Sequence, residues 1–382
     1  MILNRLILRP LGPLAIVASF SACAGSGTPG SLNPAAAVSQ ARRPQNAGAS
    51  RRRAHYVYAT NTLSNNINAY AIASNGALTT LLGSPIPTGG DPYALATHPA
   101  GFVYVTNAAN NDIAAYSIDA TGVLKHVRGS PFATGSWPTG VAIDPSGRFA
   151  YVTNFDSGNV SAYLIDASTG VLTPVKGSPF AAGSAPQGVT IDPIGKFAYV
   201  VNSLSADISA YTIEARTGTL TPLNGSPFAT GNEPYVAAID PQGRFLYVPN
   251  YLDYDVSAFA ISSSGALTQV KGSPFPTGGY PFGVAVDPTG EFVYVCNETS
   301  KDVSAFAINP NGGALTPIQG SPFKAGGDPL SIAVDPAGFV YVANEGSDSV
   351  GAFAINASTG ALKKVKGSPF KAGTSTFGVA VW

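Results

Sequence analysis

The chain repeats one pattern seven times along its 382 residues. Each copy holds an apolar run that ends in Asn, such as "YVTN", then a polar turn and a second alternating run, such as "NVSAY". The intervals between successive closing Asn residues are 46, 47, 48, 48, 47 and 47 residues, and these residues are Asn61, Asn107, Asn154, Asn202, Asn250, Asn297 and Asn344. A period this regular predicts a repeat architecture in which each copy is one structural unit.

Each repeat divides into four short runs, for example "GVAID", "FAYVTN", "NVSAYLID" and "GVLTPVKG" between positions 140 and 177. Period-two alternation of Val, Ile, Tyr and Phe predicts four β-strands, which we call A to D. Segments such as "DPSG" and "STG" predict the tight turns between them, because Asp bonds the backbone, Pro fixes φ and Gly accepts positive φ. We expect the closing Asn residues to be structural too, since Asn often hydrogen-bonds turn backbone.

The strand count predicts a closed ring of seven blades. Strands B, C and D occur seven times from Tyr56 onward, whereas strand A first appears at Tyr93 and last appears as "FGVAV" at 377–381. The C-terminal strand A would therefore complete the N-terminal blade. We predict an all-β, seven-bladed β-propeller of four-stranded antiparallel blades, closed by this strand exchange, because closure removes the open sheet ends.

The propeller is assigned to residues 55–382, and the segment before it has the features of an export signal. Residues 1–23 contain two Arg residues ahead of an apolar run. "FSAC" fits a lipoprotein signal with Cys23 as the lipidated residue, which we prefer, while "ACA" at 22–24 also fits ordinary signal cleavage. Residues 24–54 are expected to be a disordered basic linker that either contacts anionic lipid or is a solvated spacer. The expected location is the periplasm or the cell surface, or otherwise outside the cell.

Charge and composition exclude several classes of function. Residues 1–53 hold seven of the 21 basic residues and no acidic residue, so the remainder has 14 basic and 21 acidic residues, a net charge of −7. Such a surface repels phosphate backbones, and we expect no nucleic-acid binding. Cys296 is expected to be a small buried residue in no disulfide. The sequence shows no metal-binding cluster, phosphate loop or nucleophile elbow, so we expect no metal and no cofactor. We also expect a monomer.

The segments "YVTN", "VSAY" and "GVAIDPxGRFAYV" resemble those of a known family. They are similar to the YVTN-repeat propellers and the seven-bladed lactonase-like proteins, which include 6-phosphogluconolactonase and carboxymuconate-cyclising enzymes. The similarity extends over 55–382. It implies the propeller fold, and it implies lactone hydrolysis as an activity of some members, while others are surface or periplasmic proteins with no assigned chemistry.

A functional site is expected where the seven copies differ, on the face shared by the D-to-A and B-to-C loops, which we call the entrance face. Its aromatic rings, amides and carboxylates suit sugar rings, cationic ligands or peptides. Alternatively, the aromatic side chains plug the channel, and the lysines belong to a solvated mixed surface rather than an anion site. The predicted ligand-binding residues are Tyr93, Trp137, Gln187, Tyr235, Tyr251, Tyr280, Phe282, Lys301, Lys324 and Lys371.

Lactone hydrolysis would need a group that activates water and a donor for the developing oxyanion. The three histidines (His55, His98 and His126) are predicted to lie away from the entrance face. A catalytic role therefore falls to carboxylates, and the candidates for general base are Asp91, Glu233 and Asp328. Two hypotheses follow. The preferred one is an exported, membrane-anchored module that binds a glycan, a peptide or an envelope protein, and the alternative is a hydrolase of a small lactone.

Overall fold

The computed structural model describes residues 55–382, so the predicted signal 1–23, with Cys23, and the linker 24–54 lie outside the described residues. Within 55–382, the strands form seven antiparallel sheets, and the innermost strand of each sheet contacts those of its two neighbours. The predicted seven-bladed β-propeller is confirmed. In this part of the chain, no helix is long and apolar enough to cross a membrane.

The strand bounds repeat closely from blade to blade. Strand A, the innermost, is Thr376–Val381, Pro92–His98, Pro138–Ile143, Pro186–Ile191, Ala238–Ile239, Pro281–Val286 and Pro329–Asp335 in blades 1 to 7. Strand B is Tyr56–Asn61, Phe102–Asn107, Phe149–Asn154, Phe197–Asn202, Phe245–Asn250, Phe292–Asn297 and Phe339–Asn344. Strand C is Asn66–Ile72, Asp112–Ile118, Asn159–Ile165, Asp207–Ile213, Asp255–Ile261, Asp302–Ile308 and Ser349–Ile355.

The outer edge of each blade consists of two short strands rather than one. Strand D is Leu78–Thr80, Leu124–His126, Leu172–Pro174, Leu220–Pro222, Leu267–Gln269, Leu315–Pro317 and Leu362–Lys364. A further strand E is Ile86–Pro87, Phe132–Ala133, Phe180–Ala181, Phe228–Ala229, Phe275–Pro276, Phe323–Lys324 and Phe370–Lys371. Short 3-10 helices lie at Ala108–Asn110 and Glu345–Ser347.

The "GSP" segment explains why the outer strand is divided. In blade 3, Pro179 follows a cis peptide bond and has no N–H to donate, and Ser178 Oγ instead accepts the N–H of Ala162 on strand C at 2.9 Å. The equivalent Ser accepts the same strand C N–H in every blade. Strands D and E then pair with opposite ends of strand C, as in blade 3.

A Tyr on strand B joins each blade to the next. In blade 3, Tyr151 donates its hydroxyl to the carbonyl of Gly218 in the C-to-D turn of blade 4, at 2.9 Å. Gly218 has φ +74°, and a Cβ there would lie 2.4 Å from the ring of Phe149, so only Gly fits this contact. All seven junctions share the bond, and the donors are Tyr58, Tyr104, Tyr151, Tyr199, Tyr247, Tyr294 and Tyr341.

The two ends of the described chain meet in blade 1. Strand A, Thr376–Val381, pairs antiparallel with strand B, and Val57 lies opposite Val381. Beyond the strand, Trp382 stacks on Tyr56 with ring centroids 6.0 Å apart. The predicted closure by strand exchange is therefore confirmed.

The closing Asn residues hold the loops of the entrance face. Asn154 donates to Asn159 Oδ1 at 2.7 Å and to Ser161 Oγ at 2.9 Å, and its own Oδ1 accepts the N–H of Gly135. One side chain thus joins strands B and C of blade 3 to the D-to-A loop that leads from blade 2 into blade 3. Their structural role is confirmed.

Candidate functional site

Each blade presents two variable positions on the entrance face: the residue before the Pro or Thr that begins strand A, and the residue after the closing Asn. In blade 5 this Pro is Pro234, which forms an isolated bridge ahead of the regular strand. In all seven blades the N–H of the second donates to the carbonyl of the first, at 2.9 to 3.2 Å. The first residue always has positive φ, between 47° and 59°. We call these positions the entrance pairs, and they are Ser375/Thr62, Asp91/Ala108, Trp137/Phe155, Ala185/Ser203, Glu233/Tyr251, Tyr280/Glu298 and Asp328/Glu345.

Aromatic side chains close the top of the channel. Tyr235 stacks on Phe282 with ring centroids 4.6 Å apart, Tyr93 packs on Phe377 at 4.8 Å, and the two Phe rings are 6.3 Å apart. These predicted binding residues are buried, and Gln187 is buried at the same level. The geometry agrees with the alternative in which these aromatic side chains together plug the channel.

The aromatic cluster reaches solvent in blades 5 and 6. Buried Tyr251 stacks on half-buried Tyr280, with centroids 4.6 Å apart, and exposed Tyr254 contacts the edge of Tyr280 at 5.2 Å. Half-buried Trp137 lies on the other side of the mouth, 6.5 Å from Tyr93. Blades 5 and 6 therefore offer the aromatic surface that a ligand at the entrance face would contact first.

A cluster of carboxylates lies beside these rings. Half-buried Glu298 accepts the hydroxyl of Tyr251 at 2.9 Å, and Glu345 accepts the hydroxyl of Ser375 at 2.7 Å. Burial raises the pKa of the Glu298 carboxyl, the hydrogen bond from Tyr251 lowers it, and the charges of Glu345 and Asp328 raise it. A carboxylate with a raised pKa on an accessible face is a candidate acid or base.

The proposed general bases lie in three different blades. Asp91 is half-buried in blade 2, and Glu233 in blade 5 accepts the hydroxyl of Tyr235 at 3.2 Å. Asp328 in blade 7 lies close enough to Glu298 to influence its titration. A Cβ on Gly346 would clash with the carboxylate of Asp328, so this position of the carboxylate requires a Gly at 346. Only Asp328 of the three thus belongs to the carboxylate cluster, and the catalytic roles of all three stay predictions.

Glu298 was not among the predicted catalytic residues. Its partner Tyr251 comes from the neighbouring blade, 47 residues away in sequence. The one available signal was that both residues follow a closing Asn, which places them at equivalent positions in adjacent blades. That signal predicts that the two side chains are close, but it does not predict their hydrogen bond or the burial that raises the pKa of Glu298.

The predicted lysines carry mostly paired charges. Lys301 Nζ lies 3.8 Å from Asp328, and Lys324 Nζ lies 3.5 Å from Asp302. Lys371 is exposed at the end of strand E in blade 7. The Lys301 pair is accessible on both sides and contributes little energy, whereas Lys324 pairs with a buried carboxylate. Because both lysines have carboxylate partners, the geometry favours the mixed surface over an anion clamp.

The histidines lie away from the entrance face, as expected. His55 Nδ1 is 3.8 Å from Asp335 on the opposite face, and His126 packs on Tyr116 on an outer strand. His98 replaces the turn Asp at the end of strand A, where its Nε2 lies 2.6 Å from the carbonyl of Gly147 and its Nδ1 accepts the N–H of Ala100. Within residues 55–382, no group of three or more His, Cys, Asp or Glu side chains is placed to hold a metal ion.

Comparison with solved structures finds the same fold in several bacterial proteins. A protein from Bacteroides uniformis assigned as a 6-phosphogluconolactonase matches with a TM-score of 0.75 and 18% identity, over 86% of this chain and 99% of its own. The periplasmic gluconolactonase of Pseudomonas aeruginosa matches with a TM-score of 0.71 and 20% identity, over 86% and 98%. At these identities the likeness shows the fold alone. No curated protein matches the sequence.

A family model matches most of the chain. Its description is lactonase, seven-bladed β-propeller, and the matched segments are residues 48–181, 173–328 and 283–377. Together these segments extend over all seven blades and include both residues of every entrance pair. The chain therefore belongs to the seven-bladed β-propeller lactonase family.

Proposed function

We propose that the entrance face hydrolyses a neutral sugar lactone, with Glu298 as the general base. The observation that carries this proposal is the Glu298 carboxyl itself, which is half-buried, hydrogen-bonded to Tyr251 and raised in pKa by burial and by neighbouring carboxylates. Membership of the lactonase family and the likeness to a protein assigned as a 6-phosphogluconolactonase and to a gluconolactonase support the reaction class.

The reaction follows from the groups that surround Glu298. The carboxylate takes a proton from water as the water oxygen bonds to the lactone carbonyl carbon. When the ring C–O bond breaks, protonated Glu298 returns the proton to the leaving oxygen, and the product is an open hydroxy acid. Tyr280, which stacks on Tyr251 beside this carboxyl, provides an aromatic surface for the sugar ring.

The charges around the site favour a neutral substrate over a phosphorylated one. The negative charges of Glu345 and Asp328 act on the Glu298 carboxyl, and Lys301 is already paired with Asp328. These carboxylates would repel a phosphate group at this surface. Of the three predicted lysines, Lys301 and Lys324 already have carboxylate partners, which leaves exposed Lys371. We therefore expect glucono-δ-lactone to be a better substrate than its 6-phosphate.

The test is lactone hydrolysis by purified protein, corrected for the rate in buffer. Glu298→Gln should lower kcat/KM by about 10²- to 10⁴-fold, since a positioned general base contributes about that factor. Tyr251→Phe should move the acid limb of the pH–rate profile to higher pH, because it removes a donor that stabilises ionised Glu298. Tyr254→Phe is the matched control and should leave the limb in place. A wild-type rate equal to that of buffer, or an unchanged rate in Glu298→Gln, would overturn the proposal.

A binding role is the second candidate, and one surface feature favours it. Exposed Leu204 and Leu252 lie in the B-to-C loops of adjacent blades 4 and 5, next to exposed Tyr254. Exposed apolar side chains on neighbouring loops are a feature of interaction sites, and a glycan, a peptide or an envelope protein would fit this role. Absence of turnover together with a melting temperature that rises with a cell-wall saccharide would support binding and exclude the hydrolase.

Export and anchoring form part of the same proposal, because an exported propeller would meet extracellular lactones or saccharides. The support is the sequence pattern that ends at Cys23. Mass spectrometry of the membrane fraction should find a lipidated Cys23 at the mature N-terminus. Cys23→Ser should release the protein from that fraction, and an unmodified N-terminus elsewhere would contradict the lipoprotein assignment.

A further inference from the structure

One amide at the channel mouth has an unsatisfied hydrogen-bonding atom. Gln187 is only 5% exposed, and its Oε1 is buried without a hydrogen-bond partner among the described residues. Buried polar groups are normally paired, and an exception calls for an explanation such as a missing ligand or water. This residue is the second of strand A of blade 4, directly after Pro186.

Comparison of the seven blades shows that Gln187 is unusual at this position. The equivalent residue is aromatic or Leu in five blades, where it packs into the central apolar cluster, and these residues are Tyr93, Tyr235, Phe282, Leu330 and Phe377. The other polar member, Thr139, directs its hydroxyl to strand backbone, including the carbonyl of Gln187 at 3.0 Å. A Leu at position 187 would continue the apolar plug without burying an unpaired amide.

Two hydroxyl groups at neighbouring positions of the entrance face donate to acceptors other than Gln187. Tyr235 in blade 5 donates to Glu233 at 3.2 Å. Ser203, in the entrance pair of blade 4, donates to the carbonyl of Ala185 at 3.1 Å. Within residues 55–382, the Oε1 of Gln187 therefore has no donor, and a group from outside the chain would satisfy it.

The chemistry of that group follows from the amide and its surroundings. A hydroxyl both donates and accepts, so it can pair with an amide in either orientation of its oxygen and nitrogen. Trp137 and Tyr235 stand in the blades on either side, and aromatic rings favour the apolar face of a sugar ring. Polyhydroxylated rings combine both features.

We propose that Gln187 is a specificity residue that binds a ring hydroxyl of a polyhydroxylated ligand at the channel mouth. The inference rests on the proposed function for the identity of the ligand, which is then the sugar lactone. Gln187 takes no part in the ring-opening step. It selects substrates with a hydroxyl group over lactones of the same ring size that lack one, because only the former satisfies the buried amide.

The test compares glucono-δ-lactone with δ-valerolactone, which has the same ring without hydroxyl groups. Gln187→Leu should lower kcat/KM for glucono-δ-lactone about tenfold and leave that for δ-valerolactone unchanged. Its melting temperature should equal or exceed that of the wild type, since no unpaired amide remains. Leu330→Met is the matched control at the equivalent position of blade 7 and should change neither substrate. Equal losses for both lactones, or no loss for either, would overturn the inference.

A binding measurement separates this inference from the proposed hydrolysis. If the wild type opens neither lactone, the proposed function fails, and calorimetry with gluconate and glucose then tests Gln187 alone. Binding of either polyol to the wild type that is lost in Gln187→Leu would keep the inference. Equal binding by both proteins, or binding by neither, would show that the amide holds only water and would overturn it.

Discussion

Removal of residues 374–382 should unfold the propeller, because it takes strand A from blade 1 and opens the ring. Phe377 and Val379 are fully buried in that strand, and Val381 is nearly so. Burying one such side chain contributes about 1.5–3 kcal/mol. The three together contribute about 5–9 kcal/mol, which is comparable with the about 5–15 kcal/mol that stabilises a whole domain. The deletion also exposes the edge of strand B, Tyr56–Asn61, which invites aggregation.

Thermal unfolding followed by circular dichroism is the assay, with the yield of soluble protein as a second measurement. The truncated chain should lack a cooperative transition or precipitate. A permuted chain is the matched control, in which residues 374–382 precede residue 56 through a "DPSG" turn and restore the antiparallel pair. It should melt near the wild type. A truncated protein with an unchanged melting curve would refute the view that this strand holds the ring closed.

Two further variants test the junctions between blades. Tyr341→Phe removes the hydrogen bond to the carbonyl of Gly76 at 3.1 Å and leaves that carbonyl buried and unpaired, so it should lower the free energy of unfolding by about 1–3 kcal/mol in urea titrations; an unchanged urea midpoint would contradict this. Burial lowers the pKa of His98, so the unfolded chain binds a proton before the folded one does as the pH falls below about 6.5. The wild type should therefore lose stability between pH 7.5 and 5.5 relative to His98→Asn, and parallel melting-temperature profiles of the two proteins would argue against a neutral His98.

The blade architecture could be predicted from sequence because its signals are local. Alternation within strands B and C and the Asp of the turns each act within a few positions, and the closing Asn residues mark the period at which this local pattern repeats. Asp144, for example, accepts the N–H groups of Arg148 and Phe149 in its own turn, both at 2.6 Å. Strand E was missed, because a strand of two residues is too short to show alternation.

The site was harder to predict because its contacts join different blades. Tyr235, Tyr251 and Phe282 were expected at the mouth. However, the stacking of Tyr235 on Phe282 and the edge contact of Tyr251 with Phe282 depend on the angle between blades 5 and 6, which no single repeat specifies. The carboxyl of Glu298 gains its unusual titration from burial and from groups in two neighbouring blades. The candidates Asp91 and Glu233 had the right residue type and the right face, and sequence alone offered no measure of burial by which to rank them against Glu298.

The backbone bond within each entrance pair separates chemistry from architecture. The carbonyl of the first residue and the N–H of the second are hydrogen-bonded whether the side chains are Ala and Ser, at 3.0 Å, or Glu and Tyr, at 3.2 Å. Even Trp137 and Tyr280 adopt the left-handed conformation that bulky residues seldom take. Substrate preference can therefore change by exchange of single side chains on a constant framework. A library randomised at these positions alone should sample new activities, and its most stable members should carry a first residue that tolerates positive φ.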